Sequence, residues 1–364
     1  MSAYMCFIVS GTQGRCQGEF CLTGELQDVP RCSPGDKRAC APGDHAVGYT
    51  VLSLVIITRN TKHLVTGLLS SLEADGSITV AIKEVIVVDN GSTDGTEDLI
   101  TSKFPRVIYV RNSENRGFGA AANMGYRRSS GEFVLFLNSD TRVLEGETIK
   151  LLAFMEQNPS IGIIAPQLVY QDMRPQRSFA PMPSLALELA PKAVLEALFP
   201  SFRTKGGAHS HPLDVASLIG AALMARRQLL DSLGGFDERF FFFLEETDLC
   251  LRARKMGSRV VFFPGSKLIH FQGRTVAQSW IGGRIEYSIS LYKFIRKYHS
   301  RSYYGAFVLV RMCKALLFLL PATIVPFVLC SKPIRRKYHY YAQLLLWHLR
   351  GCPAGAGLRV NSQG

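Results

Sequence analysis

Four short apolar segments alternate with helix-like segments over residues 51–140, and this alternation limits the possible folds more than any other feature of the chain. The apolar segments read VLSLVIITRN, EVIVVD, VIYV and FVLFLNSD. Since they are almost continuously apolar, each is predicted to be a strand buried on both faces. After the first segment, leucines recur at helical spacing, at Leu64, Leu68 and Leu72. The order predicts an α/β fold with a mostly parallel central sheet and helices on both faces.

Polar residues follow the predicted strands. The first strand ends at Thr58 and Asn60, the second at Asp89, and the fourth at Asn138 and Asp140. Ligands of such sheets bind outside the carboxyl ends of the strands. Polar turns end most strands, but that does not explain two carboxylates directed at one crevice. A phosphate-bearing ligand there would need a divalent cation, such as Mg²⁺, between itself and the carboxylates.

The stretch VIVVDNGSTDGT carries Asp89 to the mouth of a loop rich in turn-forming residues. A carboxylate at this place can accept a hydrogen bond from a base N–H or a ribose hydroxyl, so Asp89 is the candidate nucleoside contact. Asn90 either contacts the ligand or only orders the turn. In NRGFG, Arg116 suits a diphosphate and Gly117 permits close approach of the backbone to a ligand. A solvated arginine on a loop is the alternative for Arg116.

The formal net charge of +13 suggests an anionic partner. Lysines and arginines cluster at residues 293–301 and 332–350, beside aromatic residues and near an apolar run at 305–330. Arg311 and Lys314 interrupt that run, and its uncharged remainder is shorter than the ~20 residues that a span needs. The pattern favours peripheral or monotopic association with the cytoplasmic face of a membrane. No nucleic-acid partner is expected, because no recognition motif accompanies the charge.

Six motifs occur in the order found in inverting nucleotide-sugar glycosyltransferases of family 2. They are LVIITRN, VIVVDNGSTDGT, ENRGFGAAANMG, FLNSD, GGFDERFFFFLEETDLCLRARKMG and IHFQG. Over roughly residues 52–300 the chain resembles this family, and in particular its rhamnosyltransferase-type branch. The resemblance implies a GT-A fold, a nucleoside-diphosphate sugar as donor, and Mg²⁺ or Mn²⁺ as cofactor.

The resemblance also implies roles for single residues. The family's nucleoside contacts match Thr58, Asn60 and Asp89. Its DXD-like metal motif matches NSD, so Asp140 is the expected metal ligand and Asn138 replaces the first carboxylate. His270 in IHFQG matches a histidine that helps to hold the metal or the diphosphate, although a lone histidine is more often structural.

Three acids lie at the start of a predicted helix, where the helix dipole favours negative charge: Glu245, Glu246 and Asp248. The family places its catalytic base at the second acid of a Glu-Asp pair. The pair reads Glu-Glu in this chain, so the base is assigned to Glu246. This departure leaves Glu245 and Asp248 as alternatives.

The sequence predicts three parts. They are a poorly ordered extension at residues 1–48, a glycosyltransferase domain at 49–300 and a membrane-associating helical segment and tail at 301–364. Within the domain, the nucleotide-binding half is expected at about 49–145 and the acceptor half at about 146–300.

The function implied by the resemblance is inverting transfer of a sugar to a hydroxyl of a glycan or lipid-linked acceptor in cell-surface polysaccharide synthesis. One candidate donor is dTDP-rhamnose. Two alternatives stay open. One is a non-catalytic nucleotide-sugar binding protein. The other is a processive polysaccharide synthase, which the sequence disfavours because Gln278 is followed by SWIGG and not by the QxxRW pattern of that group.

Overall fold

The computed structural model describes residues 51–79, 81–190, 194, 209–271, 280–324, 332–353 and 357–358. The predicted extension at residues 1–48 lies outside the described residues, so that prediction stays a prediction.

The first part of the fold is a parallel sheet whose strands are joined by helices. Its elements are β1 (Leu52–Thr58), α1 (Lys62–Ala74), β2 (Ile82–Asp89), α2 (Thr96–Lys103), β3 (Ile108–Arg111), α3 (Phe118–Arg128) and β4 (Phe133–Asn138). The strands lie in the order β3-β2-β1-β4, and all three pairings are parallel. The predicted alternation of strand and helix is confirmed.

The second part extends the same sheet. Its elements are β5 (Thr141–Val143), α4 (Glu147–Glu156), β6 (Ile161–Val169), β7 (Phe179–Ala180), α5 (Leu185–Leu189), β8 (Leu213–Asp214), β9 (Ser217–Leu218), β10 (Ala222–Arg226), α6 (Arg227–Leu233), α7 (Glu245–Lys255) and β11 (Arg259–His270). Beyond β4 the order continues β10-β6-β11-β5. Strand β10 is antiparallel to both neighbours, β5 is antiparallel to β11, and β6 and β11 are parallel. The sheet is therefore mixed beyond β4, whereas the four strands β3, β2, β1 and β4 are wholly parallel.

Both faces of the central strand are buried. On β1, Leu54 and Ile56 belong to the core under α1 and α2, whereas Val55 and Ile57 belong to the core under α3. Because alternate residues of a strand point to opposite faces, an almost unbroken apolar run is what a doubly covered strand requires. Close packing of α3 depends on Gly125, where a Cβ would lie 2.4 Å from Cγ1 of Val55.

Three further helices follow the sheet: α8 (Trp280–Tyr298), α9 (Arg301–Ile324) and α10 (Lys332–Leu349). A third core cluster joins them to the segment that precedes α7; it includes Phe240, Ile289, Phe307 and Trp347. The helical segment thus packs against the stretch that leads into the helix of the candidate catalytic acids.

The sequence predicted that the charge of Arg311 interrupts the apolar run, and the structure shows that it does not. Helix α9 continues through it, and the guanidinium is buried against the domain, with Nη1 2.8 Å from Oε1 of Glu188 and Nη2 2.9 Å from Oγ of Ser288. Among the described residues, one helix is long and apolar enough to cross a membrane, over Arg301–Leu320. Half of that segment is exposed and little of it is buried. Leu309 and Leu317 are 61% and 68% exposed.

Candidate active site

The carboxyl ends of β1, β2 and β4 bring the predicted donor-binding residues together. Thr58 is the register partner of Asp89, and Ile57 is the partner of Asn138. The turns after the strands are joined by backbone hydrogen bonds, from Asn90 N to Thr58 O (2.8 Å) and from Ser139 N to Ile57 O (3.2 Å). The edge predicted from the strand ends is therefore one continuous surface.

Asp89 is held by two internal donors. The backbone N–H of Ser92 donates to Oδ1 (2.8 Å), and the hydroxyl of Tyr109 donates to Oδ2. The carboxylate is 1% exposed. Burial, together with the bond to Asp89, raises the pKa of Tyr109, which keeps the phenol protonated as a donor. Each carboxylate oxygen has a second lone pair, so Asp89 can still accept a ligand hydrogen bond.

Sequence reasoning missed Tyr109, although a signal existed. Tyr109 pairs with Val87 across β2 and β3, and Asp89 lies two residues beyond Val87 on the same face. A diagonal neighbour at this separation is within reach of a long aromatic side chain.

Thr58 and Asn60 interlock the first two turns of the edge. The Thr58 hydroxyl is buried and lies 2.8 Å from that of Thr61, which in turn lies 2.8 Å from Oγ of Ser139. Asn60 is exposed and has a left-handed φ of 49°, and its Oδ1 accepts from Thr93 N (2.8 Å). Of this pair, Asn60 is the one that a ligand reaches in the structure as it stands.

Asn90 orders the loop at residues 112–117. Its Nδ2 donates to Oδ1 of Asn115 (2.8 Å) and to Gly117 O (3.1 Å), and its Oδ1 accepts from Nδ2 of Asn112 and from Arg116 N, both at 3.0 Å. Asn90 therefore orders this loop, and its expected contact with a ligand stays a prediction. The Arg116 side chain is exposed, and within the described part of the chain it forms no ion pair.

Gly117 is required by a contact within the protein, and the expected approach of its backbone to a ligand stays a prediction. Its φ is +85°, and a Cβ there would lie 2.3 Å from the carbonyl oxygen of Phe241. That same oxygen accepts from Phe118 N (2.8 Å). This contact locks the loop at residues 112–117 to the aromatic stretch that leads into α7.

Asp140 and His270 face each other. Oδ1 of Asp140 lies 3.5 Å from Nε2 of His270, and both side chains are largely buried. Strand β5 brings them together, because Thr141 pairs with His270. Within the described ranges, no group of three or more His, Cys, Asp or Glu side chains is placed to hold a metal ion. One carboxylate and one imidazole fit a divalent cation whose other ligands are diphosphate oxygens and water.

The three acids of α7 occupy different environments. Asp248 is fully buried; its Oδ2 lies 2.7 Å from Nε of Arg252, and its Oδ1 accepts from the Lys297 ammonium and from the hydroxyl of Tyr298. These bonds tie α7 to α8. Asp248 is corrected from candidate base to structural residue, because two cations hold its carboxylate inside the protein.

The carboxylates of Glu245 and Glu246 have fewer stabilising partners than that of Asp248. Burial raises the pKa of Glu246 to about 7. Burial, and secondarily repulsion by Glu246, raises the pKa of Glu245 well above its ordinary value. Glu245 is 4% exposed, and its Oε2 has no hydrogen-bond partner in the described structure, whereas Glu246 is only half-buried. Glu246 is therefore the acid of this pair that an acceptor can reach.

Two consecutive residues, Gly220 and Ala221, lie next to both Glu246 and the NSD motif. Ala221 O accepts from Asn138 N (3.0 Å), and a Cβ on the adjacent Gly220 would lie 3.5 Å from Cβ and Cγ of Glu246. The candidate base and NSD thus both adjoin the same two-residue segment.

The sequence matches the profile of Glycosyl transferase family 2 over residues 53–234, which is half of the chain. The chain belongs to this family. A second profile, Glycosyl transferase family group 2, matches residues 193–348. The resemblance expected from the six motifs is confirmed, and the protein is a glycosyltransferase of the hexosyltransferase or rhamnosyltransferase type.

Relatives of this glycosyltransferase include an N-acetylglucosaminyl-diphospho-decaprenol L-rhamnosyltransferase from Mycobacterium tuberculosis. It is 27% identical over 266 residues, which cover 69% of this chain and 85% of the relative. The low-salt glycan biosynthesis hexosyltransferase Agl10 of Haloferax volcanii is 27% identical over 209 residues, which cover 56% of this chain and 62% of that protein.

The solved structure of a mannosyltransferase from Pyrobaculum calidifontis, in complex with GDP-Man and Mn²⁺, has a TM-score of 0.52 and 17% identity. The likeness covers 82% of this chain and 86% of that chain, and it concerns the fold alone. The GT-A fold predicted for this glycosyltransferase is confirmed.

Proposed function

We propose that this glycosyltransferase moves a sugar from a nucleoside diphosphate to a hydroxyl of a glycan or lipid-linked acceptor, with inversion at the anomeric carbon. The observation that carries the proposal is that Glu246 adjoins Gly220, while Asn138 of NSD is hydrogen-bonded to the next residue, Ala221. A base and a diphosphate site so arranged serve one displacement.

Glu246 takes the proton of the acceptor hydroxyl while the acceptor oxygen attacks the anomeric carbon. The bond from that carbon to the diphosphate oxygen breaks, and the pair of electrons leaves with the diphosphate. A pKa of about 7 suits a general base that works near neutral pH. One displacement by one acceptor oxygen inverts the configuration.

Asp140 and His270 would hold the divalent cation, Mg²⁺ or Mn²⁺. When bound, the cation supplies Lewis-acid neutralisation of the departing diphosphate. Asn60 and Asp89 lie where the nucleoside would bind, and the exposed Arg116 is free to reach a phosphate.

Membrane association is proposed from α9 and α10. The exposed leucines of α9 form one stripe, at Leu309, Leu316, Leu317 and Leu320. The start of α10 exposes Arg335, Arg336 and Lys337, which suit anionic headgroups at the cytoplasmic face. Since Arg311 anchors α9 to Glu188 and Ser288 of the domain, the helix is better suited to lie on a bilayer than to cross it. A surface site would place the enzyme beside a lipid-linked acceptor.

The donor is tested with purified protein and a panel of dTDP-rhamnose, UDP-galactofuranose, UDP-GlcNAc and GDP-mannose, with a polyprenyl-diphosphate-linked sugar as acceptor. The relative that is named as an L-rhamnosyltransferase on such a lipid makes dTDP-rhamnose the first choice. Proton NMR of the product gives its anomeric configuration. Retained configuration would contradict the proposed mechanism, and binding of donors without transfer to any acceptor would favour the non-catalytic alternative.

The membrane surface is tested by flotation with vesicles of mixed anionic and neutral lipids. The double variant Leu317→Asp, Leu320→Asp should lose vesicle binding, and Ile108→Asp, an exposed apolar site on β3, is the matched control. Equal flotation of the wild type, the double variant and Ile108→Asp would refute the role of α9.

A further inference from the structure

Gln176 lies in the turn after β6, at the carboxyl ends of two parallel strands. It is 5% exposed, and its backbone N–H donates to Leu168 O (2.7 Å). Its side-chain Nε2 donates to Val169 O (3.2 Å) and to His270 O (2.6 Å). Val169 is the last residue of β6 and His270 the last of β11, so one amide group joins the two strand ends.

These two bonds fix the orientation of the amide. Only the nitrogen can donate to carbonyl oxygens, so Nε2 must face the two strand ends. The amide oxygen then faces the His270 ring, with Oε1 3.1 Å from Nδ1. Because that oxygen only accepts, Nδ1 carries a hydrogen, and in the neutral ring Nε2 carries a lone pair.

The consequence appears on the far side of the ring. Nε2, which carries the lone pair, lies 3.5 Å from Oδ1 of Asp140. Two acceptor atoms at that separation repel each other unless a cation lies between them. A proton on Nε2 or a divalent cation meets this need, and only the second leaves the ring neutral.

We infer that Gln176 is a positioning residue, which holds His270 in the tautomer with hydrogen on Nδ1 so that Nε2 and Asp140 share a divalent cation. The inference rests on the metal part of the proposed function. Partners that fix the tautomer of a metal-binding histidine commonly contribute tenfold to 100-fold to metal affinity.

The turn that carries Gln176 is itself well held. Nε2 of Gln167 donates to Gln176 O (2.8 Å) and to Oγ of Ser178 (3.0 Å). Tyr170 N donates to Arg174 O (2.9 Å), and Val169 and Pro175 form a bridge. A side chain on so fixed a backbone can orient a ring precisely enough to matter for ligation.

The first measurement is the tautomer of His270. Protein labelled with ¹⁵N-histidine is studied by NMR at alkaline pH without metal, and the His270 signals are assigned by their loss in His270→Asn. The expected result is a hydrogen on Nδ1 in the wild type and a shift toward the other tautomer in Gln176→Leu. A hydrogen on Nε2 in the wild type would overturn the inference.

The second measurement is Mn²⁺ affinity by electron paramagnetic resonance, with UDP or dTDP present and with a nucleotide-only titration subtracted. Gln176→Leu should weaken Mn²⁺ binding tenfold to 100-fold. The exposed Gln157→Leu, at the end of α4, is the matched control and should leave affinity unchanged.

A double-variant comparison separates positioning from damage to the fold. In a His270→Asn background, Gln176→Leu should cause no further loss of Mn²⁺ affinity. The same tenfold or larger loss in that background would overturn the inference. Failure of the wild type to bind Mn²⁺ with either nucleotide would overturn the shared cation and the metal part of the proposed function together, while the NMR result would still decide the tautomer.

Discussion

The strand-end edge and the start of α7 both present carboxylates near the proposed reaction centre, but the two poorly compensated acids, Glu245 and Glu246, both lie on α7. Asp89 receives a backbone N–H and a phenol, and Asp248 receives two cations. Glu245 has a buried oxygen without a partner, and burial raises the pKa of Glu246. Compensated carboxylates hold a fold together, whereas poorly compensated ones cost stability and become reactive. The comparison separates scaffold acids from the chemically active acid.

The largest effect is expected at Glu246. Glu246→Gln keeps the shape but cannot accept a proton, so turnover should fall by about 10²- to 10⁴-fold, the usual contribution of a positioned base. Donor binding, measured by calorimetry, should stay near that of the wild type. Single-turnover transfer is compared with that of Glu245→Gln. Wild-type transfer by Glu246→Gln beside an inactive Glu245→Gln would move the base to Glu245.

Asp140 tests the other side of the reaction centre. Asp140→Ala removes the carboxylate of NSD, and loss of the charge that holds a divalent cation should lower transfer by roughly 10²- to 10³-fold. Mg²⁺-dependent binding of UDP or dTDP, followed by calorimetry, should disappear. Asp94→Ala is a useful control, because Asp94 accepts from Lys62 N (2.9 Å) and serves the start of α1. Undiminished Mg²⁺-dependent binding in Asp140→Ala would contradict the metal role.

The dependence of activity on pH tests the role of Glu246 without any substitution. Glu246 must lose its proton to act as base, so activity should fall as pH drops below about 7. At two pH units below the pKa, about one hundredth of the base remains ionised, so the rate should be about 100-fold lower. The measurement is kcat/KM for the acceptor from pH 5 to 9. A profile that is flat from pH 5 to 7 would show that the base is already ionised there.

Tyr109 tests whether the strand-end edge is a fully bonded scaffold. Tyr109→Phe leaves the buried Asp89 without its phenol donor and should lower the free energy of unfolding by about 1–3 kcal/mol. Urea unfolding measures the change. A loss well below 1 kcal/mol would mean that the bond to Asp89 has no special weight.

Local pattern explains what could be predicted from the sequence. The strands β1 to β4 are continuous apolar runs, and each delivers its polar residues within two positions of its end, so Asp89, Asn138 and Asp140 were found without tertiary information. The six motifs gave the family.

Partners far apart in sequence explain what was missed. Asp248 looked like a catalytic acid because Lys297, which neutralises it, lies on another helix. Gln176 stands in a stretch without periodicity, and its partner His270 is 94 residues away. Arg311 looked like an interruption of an apolar run until Glu188 supplied its ion pair. A pattern in one segment does not report such pairings.

The smallest effect is expected for the stability of Glu245→Gln. The sign of the change in the free energy of unfolding shows whether the buried charge of Glu245 destabilises the start of α7. The pKa of this acid is raised in the folded state, so the folded protein binds a proton that the unfolded chain has lost at neutral pH. Stability should therefore fall as pH rises above the ordinary range of a glutamate, toward the raised pKa. Glu245→Gln is neutral at every pH and removes this term.

At pH 8 the variant should have a free energy of unfolding about 1 kcal/mol higher than that of the wild type, measured by urea unfolding. The free energies of the two proteins should become equal near pH 4. Asp248→Asn gives the opposite control: loss of a carboxylate paired with Arg252 and Lys297 should destabilise the protein at pH 8. If Glu245→Gln were instead less stable than the wild type at pH 8, the ionised Glu245 carboxylate of the wild type would have stabilising partners in solution. The contrast between the two regions would then rest on Glu246 alone.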